Sequence, residues 1–115
     1  MSNNRYEIYR GREVNNQLVG LRLSGYAFQN EGEAFYRVKL FFLPDQNYYM
    51  SKNQGDGYTI FSKMTTSNEG KIVFQNPVGF AKILDQIKTH LYLRFPDLAS
   101  HMFMSLYPTS NNQVA

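Results

Sequence analysis

Cysteine is absent from this chain, and so is tryptophan. The first absence excludes disulfides, cysteine nucleophiles and thiolate metal sites. Histidine is scarce: His90 and His101 are the two in 115 residues. A zinc centre takes three or four ligands, and no His-Glu-x-x-His pattern occurs, so no metal site is expected. There is no Gly-x-Ser-x-Gly elbow for a hydrolase nucleophile. There is no glycine-rich phosphate loop of either the dinucleotide or the Walker type. Glu31 and Glu33 are close in sequence, but their turn-forming neighbours leave both solvated, which suits neither partner of an acid–base pair. The chain is therefore read as a binding protein, not an enzyme, and one without a cofactor.

Long apolar runs are missing too. The longest, Leu40-Phe41-Phe42-Leu43-Pro44, falls far short of the ~20 residues that span a bilayer as a helix. The start, Met1-Ser2-Asn3-Asn4-Arg5, is polar and unlike a signal peptide. A cytoplasmic protein with no membrane partner is expected, with specialised secretion left open.

What the chain does contain is aromatic rings. It has 9 Tyr and 9 Phe, and 16% of its residues are aromatic. That load argues for a folded core, and the length suits one domain. Residues 1–107 are read as a single α+β domain and 108–115 as a disordered tail. The net charge is +3, from 12 Lys+Arg against 9 Asp+Glu. It is mild, and permits nucleic acid or an acidic partner without demanding either.

The first two thirds alternate with a period of two, as strands do. Arg5–Arg10 places Tyr6 and Ile8 on one side. Leu18–Phe28 carries Val19, Leu21, Leu23 and Ala27 on one face and Arg22, Ser24, Tyr26 and Phe28 on the other; Gly25 marks a bulge or a close neighbour. Across the turn Asn30–Glu33 comes Ala34–Leu43. Next, Tyr48–Lys52 pairs with Tyr58–Met64 across a loop in which Gly55 and Gly57 supply left-handed positions. After Ser67–Gly70 a short strand, Lys71–Phe74, ends the sheet of about five or six antiparallel strands.

At residue 76 the spacing changes. Asn76 suits an N-cap and Pro77 a first helical position. Phe80, Ile83, Leu84, Ile87 and Leu91 form one stripe, so an amphipathic helix is expected over about 76–93. Leu98, Met102 and Leu106, spaced by four, suggest a short helical segment over about 97–107. Its Phe95, Met102, Phe103, Met104 and Tyr107 form a candidate interface. The segment either joins two copies as a homodimer or wraps the sheet edge within one chain.

One helix covers one face of a sheet, so the other face decides the function. In the third strand Tyr36, Val38, Leu40 and Phe42 form the core side. The opposite side reads Phe35, Arg37, Lys39, Phe41. With Arg22, Tyr26 and Phe28 from the second strand and Phe61 and Lys63 from the fifth, these are the candidate nucleic-acid-binding residues. Four of the twelve cations fall on this face and none of the nine acids does. Aromatic rings stack on unpaired bases at ~1–3 kcal/mol each, and Lys and Arg neutralise phosphates. A plain solvent face, an interface and a small-ligand pocket carry the same residue types.

The run Lys71-Ile72-Val73-Phe74-Gln75-Asn76-Pro77-Val78-Gly79-Phe80-Ala81-Lys82-Ile83-Leu84-Asp85-Gln86-Ile87 passes from a last strand into a capped helix. With the antiparallel strands before it, over roughly residues 18–93, this order of elements resembles the single-stranded-DNA-binding units of the Whirly and Pur-alpha kind. The resemblance implies a curved sheet followed by a helix, a sheet face that binds single strands, and units that pair through their helical sides. It assigns no individual residue. The leading expectation is single-stranded nucleic-acid binding. The alternative is a protein-interaction module (inhibitor, effector or assembly subunit) using the same face or the 95–107 segment.

Overall fold

The structure, a computed structural model, describes residues 4–84, 87–98 and 101–109. Eight strands follow in sequence: β1 (Asn4–Val14), β2 (Gln17–Gln29), β3 (Tyr36–Leu40), β4 (Tyr48–Lys52), β5 (Gly57–Thr66), β6 (Ile72–Ile83), β7 (His90–Arg94) and β8 (Met102–Ser105). Each pairs antiparallel with the next, and β8 returns to β1, so the sheet closes into a barrel. Alternation then sorts the side chains. One set of positions fills the inside and the other covers the outside, as in small closed barrels.

The inside holds Ile8, Ala27, Val38, Leu40, Met50, Ile60, Ala81, Leu91, Leu93, Met102 and Met104, all at or near zero exposure. Tyr6, Tyr36 and Tyr58 form an edge-to-face series within it, with centroids 5.4 and 5.9 Å apart. Tyr48 packs on Phe95 at 5.4 Å. Of the residues expected on the apolar sides of the first three strands, Tyr6, Ile8, Ala27, Val38 and Leu40 belong to this core and Tyr36 packs against it. Leu21 and Leu23 do not; both are exposed, because an extra residue in β2 puts Leu23 opposite Tyr9. Phe42 is likewise outside the core, exposed in the turn after β3.

The α+β expectation is overturned: the described residues form an all-β barrel and contain no helix. The stretch expected as a helix over 76–93 is the second half of β6 and all of β7, with residues 85–86 outside the described residues. Asn76 is not an N-cap but sits within β6 at φ 61°. Pro77 pairs opposite Phe61, on the part of β6 that β7 does not reach. There the strand has one neighbour instead of two, where a residue lacking N–H is tolerated. The buried positions are Ala81, Leu91, Leu93 and Phe95, whereas Phe80 and Ile83 of the supposed stripe are exposed. The 3.6-residue spacing was thus shared between two strands with a period of two. The run 71–87 that carries the family resemblance therefore continues as strand up to Ile83.

The expected helical segment over 97–107 is also corrected. It contains β8, which wraps the sheet edge within the chain, and residues 99–100 lie outside the described residues. Phe95, Met102 and Met104 are core residues and offer no surface to a second copy. Phe103 points outward yet is covered, and Tyr107 alone of the five is largely exposed, at 65%. Of the tail, Thr109 bridges to Arg5, and 110–115 lie outside the described residues. No helix among the described residues is long and apolar enough to cross a membrane.

The hairpin turns were legible. Glu33 N donates to Asn30 O at 3.0 Å with Gly32 at φ 85°. In the β4–β5 loop, however, Gly55 and Gly57 do not have positive φ. Asn53 Oδ1 accepts from both of their N–H groups instead. Gly25 has a spatial reason: a Cβ there would meet Lys39 O at 2.3 Å. A Gly25→Ala change is therefore expected to lower the melting temperature by roughly 10 °C, equivalent to about 2 kcal/mol. Gly55→Ala, whose nearest neighbour would be 3.5 Å away, should leave it within about 2 °C. Thermal unfolding followed by circular dichroism checks both.

Candidate nucleic-acid interface

The expected binding face is the outer wall of the barrel across β2–β5. The register places Arg5 beside Phe28, Phe28 beside Arg37, Arg37 beside Tyr49 and Tyr49 beside Phe61. This is a lateral row crossing five strands, alternating cation and ring until its last step. A second row runs Glu7, Tyr26, Lys39. Directly opposed side chains in such pairs sit about 4.5–5.5 Å apart at Cβ, so the groups form a continuous surface.

Two clusters organise it. Tyr26 touches Phe28 at 6.0 Å and Phe41 at 5.5 Å, and the Arg5 guanidinium lies 4.4 Å above the Tyr26 ring. Phe41 is half exposed and is tied to the wall by its N–H, which donates to Ser24 O at 2.8 Å. The other cluster is Phe35, Tyr49, Phe61 and Phe74. Phe61 stacks on Phe74 at 5.4 Å, and Phe74 meets Phe35 edge-on at 5.3 Å. Between the clusters lies a groove of about 400 Å³ lined by Phe28, Arg37, Lys39, Asn47, Tyr48 and Tyr49, with Val38 at its base.

The cations of the groove are held in place. Arg37 donates to both carboxylate oxygens of Glu33, at 3.2 and 2.8 Å, and lies 5.2 Å from the centre of the Phe35 ring. The guanidinium holds the Glu33 carboxyl below the usual carboxylate range. Lys39 Nζ donates to Asn47 Oδ1 at 3.0 Å and to Gln46 O at 3.4 Å. Neither cation is buried; both keep part of their surface in water.

Not every expected residue joins this site. Tyr26, Phe28, Arg37, Lys39, Phe41 and Phe61 do. Phe35 is close by but 5% exposed, roofed by Phe74. It is a support for Arg37, with little ring face left to stack. Lys63 lies farther along β5, opposite Gln75. Arg22 leaves the face because of a bulge. Ile8 pairs with Gly25 and Tyr9 with Leu23, so Ser24 is an extra residue that reverses the alternation. Arg22 then pairs with Arg10, on the Ile8 side of the ladder.

Three members were missed: Arg5, Tyr49 and Phe74. The doublet Tyr48-Tyr49 reads equally well in either orientation, and only pairing with Arg37 and Phe61 turns Tyr49 outward. The face is also less free of acid than alternation suggested. Glu7 pairs with Tyr26, and its carboxylate accepts a short hydrogen bond from the Tyr9 hydroxyl. Among the described residues no group of three metal-ligating side chains occurs.

The hydrogen bond to Glu7 pushes the Tyr9 phenol up to about 12. Inside the barrel, burial pushes Tyr36 up to about 12, helped by Tyr58 and Tyr6. A raised phenol pKa favours the protonated folded state. The stabilisation is complete below the ordinary value of 10.0 and is lost as pH rises from there towards 12. Burial also raises the Tyr48 phenol, so phenolate absorbance should show several late-titrating tyrosines. Tyr9→Phe should remove one of them and leave the others; a single transition near pH 10.0 would contradict this. No family model, curated protein or solved structure matches the chain.

Proposed function

We propose that the protein binds single-stranded nucleic acid, without catalysis, on the outer wall of β2–β5. The observation that carries this reading is the groove in which Phe28 and Tyr49 flank Arg37 and Lys39. A single strand offers flat bases and a charged backbone, and this groove alternates the two matching group types at strand spacing. Bases stack on Phe28 and Tyr49, and next to them on Tyr26, Phe41 and Phe61. Phosphates meet Arg37 and Lys39. No base-specific set of hydrogen-bond donors and acceptors is required, so tolerance of sequence is expected. Cytoplasmic nucleic acid is the natural target for this reading. A protein partner on the same wall is the alternative, and it differs in its response to salt.

A labelled oligonucleotide at low ionic strength should bind and should dissociate as salt rises. Replacing Arg37 and Lys39 together by Ala should flatten the slope of log K against log salt by about 1.4, at about 0.7 per phosphate on a single strand. Phe28→Ala and Tyr49→Ala should each weaken binding by ~1–3 kcal/mol with the slope unchanged. Absence of any salt-dependent shift in the unsubstituted protein rejects the proposal.

A further inference from the structure

A second groove lies elsewhere on the barrel wall, where β1 passes β6, β7 and β8. Here too the register sets a row: Lys82 beside Tyr92, Tyr92 beside Phe103, Phe103 beside Tyr9. The outer half of β1 is pinned next to this row, since Gly11 N donates to His101 O at 3.3 Å. Towards β2 the strand is equally tight, since a Cβ on Gly11 would lie 2.8 Å from Leu21 Cδ2 and 2.9 Å from Val19 O. A groove of about 430 Å³ results, lined by Arg12, Glu13, Lys82, Leu84, Tyr92, His101 and Phe103. That is within the range of small-molecule sites, roughly 300–1,000 Å³.

The chemistry of the lining is specific. Phe103 is 2% exposed, so it forms a dry floor. Tyr92 tilts against it at 5.7 Å and stacks on His101 at 5.8 Å. The Tyr92 hydroxyl and His101 Nδ1 are 2.9 Å apart. When the phenol donates, the neutral imidazole carries its proton on Nε2, a donor held in a fixed ring plane. Among the described residues Arg12, Lys82 and Glu13 have no hydrogen-bond or ion-pair partner. Two cations without an ion-pair partner among the described residues thus share a groove with one carboxylate and three rings in contact. On the β3 wall, by contrast, Arg37 and Lys39 already have acceptors.

We infer that this groove binds a nucleoside monophosphate, with its phosphate at Arg12 and Lys82 and its base against Tyr92 and His101. A phosphate monoester carries nearly two negative charges at neutral pH, which suits two cations. The rings suit a planar base. Glu13 repels a bare anion but accepts from the hydroxyl and amino groups that a nucleoside brings. The ligand is therefore a phosphate with a base and sugar attached, and not phosphate by itself.

The test is titration of the intact chain with adenosine 5′-monophosphate, adenosine and inorganic phosphate, followed through the NMR signals of Tyr92, His101 and Phe103. The monophosphate should shift these signals and bind at least about tenfold more tightly than either fragment, since each supplies one part of the contact. Lys82→Gln and Arg12→Gln should each weaken it about tenfold, the typical loss for one charge-assisted hydrogen bond. Melting temperatures serve as the control for folding. The double replacement of Arg37 and Lys39 by Ala, in the other groove, should leave the affinity unchanged. The inference is overturned if these signals do not move, if inorganic phosphate binds as tightly, or if the Arg12 and Lys82 variants bind as well as the unsubstituted protein. Loss of binding in the Arg37 and Lys39 variant overturns it as well. Oligonucleotide binding is read separately, so failure here leaves the reading of the β2–β5 wall standing.

Discussion

The pairing of β8 with both β7 and β1 is the contact on which the rest of this molecule depends. β8 is four residues long. Its partners on β1 are Ile8, Tyr9 and Arg10, and on β7 His90 to Leu93. Without it, β1 and β7 would be open edges with unpaired backbone groups, which invite pairing with other chains. With it the barrel has no gap, and its inner side chains leave water together. Met102 and Met104 show why a short strand is enough. Both reach fully into the interior, and methionine adapts to irregular space left by its neighbours.

Closure also explains how a small domain does without a covering helix. A flat sheet needs a second layer to bury its apolar face. A closed sheet is its own second layer, and everything apolar at inward positions is buried against the opposite strands. The outer positions are then released from packing duties. They carry tyrosine, phenylalanine, arginine and lysine in lateral rows, such as Phe28, Arg37, Tyr49 and Phe61 on one side and Lys82, Tyr92 and Phe103 on the other. The mild net charge is thus spread round the wall in company with rings, not massed on one sheet face.

Local alternation was legible in the sequence, and long-range pairing was not. Tyr36, Val38 and Leu40 could be assigned inward, and Arg37 and Lys39 outward, from the β3 residues alone. The β2–β3 hairpin followed from its turn residues; the β4–β5 hairpin was placed correctly, but its loop is held by Asn53 and not by left-handed glycines. The helix over 76–93 failed for a specific reason. Phe80, Ile83, Leu84, Ile87 and Leu91 do recur at helical spacing, but Phe80 and Ile83 face solvent while Ala81 and Leu93 face the core. Asn76 and Pro77 strengthened the error, since both suit a helix start as well as an irregular edge strand. Arg22 was lost to Ser24, because an extra residue reverses every side chain beyond it; Gly25 marked a bulge or a close neighbour beside it, but a glycine does not say which way the residues beyond it turn. Closure itself depends on contacts between residues far apart in the chain, such as Ile8 with Met104, and no local pattern carries that.

The state of the cations bears on the proposed function of the β2–β5 wall. Arg37 is already bound to Glu33, so a phosphate must displace a carboxylate. A partly exposed ion pair of this kind contributes only about 0–1 kcal/mol, and a phosphate offers the same two-pronged geometry with more charge. The Phe35 ring would stay beside the guanidinium throughout the exchange, so little orientational freedom remains to be lost on binding. Lys39 trades neutral acceptors, Asn47 Oδ1 and Gln46 O, for a charged one. Glu7 behaves differently: its carboxylate is engaged by the Tyr9 hydroxyl beside Tyr26, and it repels a backbone laid over β1. The phosphate track is thereby directed across β3 and β4, where Arg37 and Lys39 stand, and the bases fall to Phe28 on one side and Tyr49 on the other.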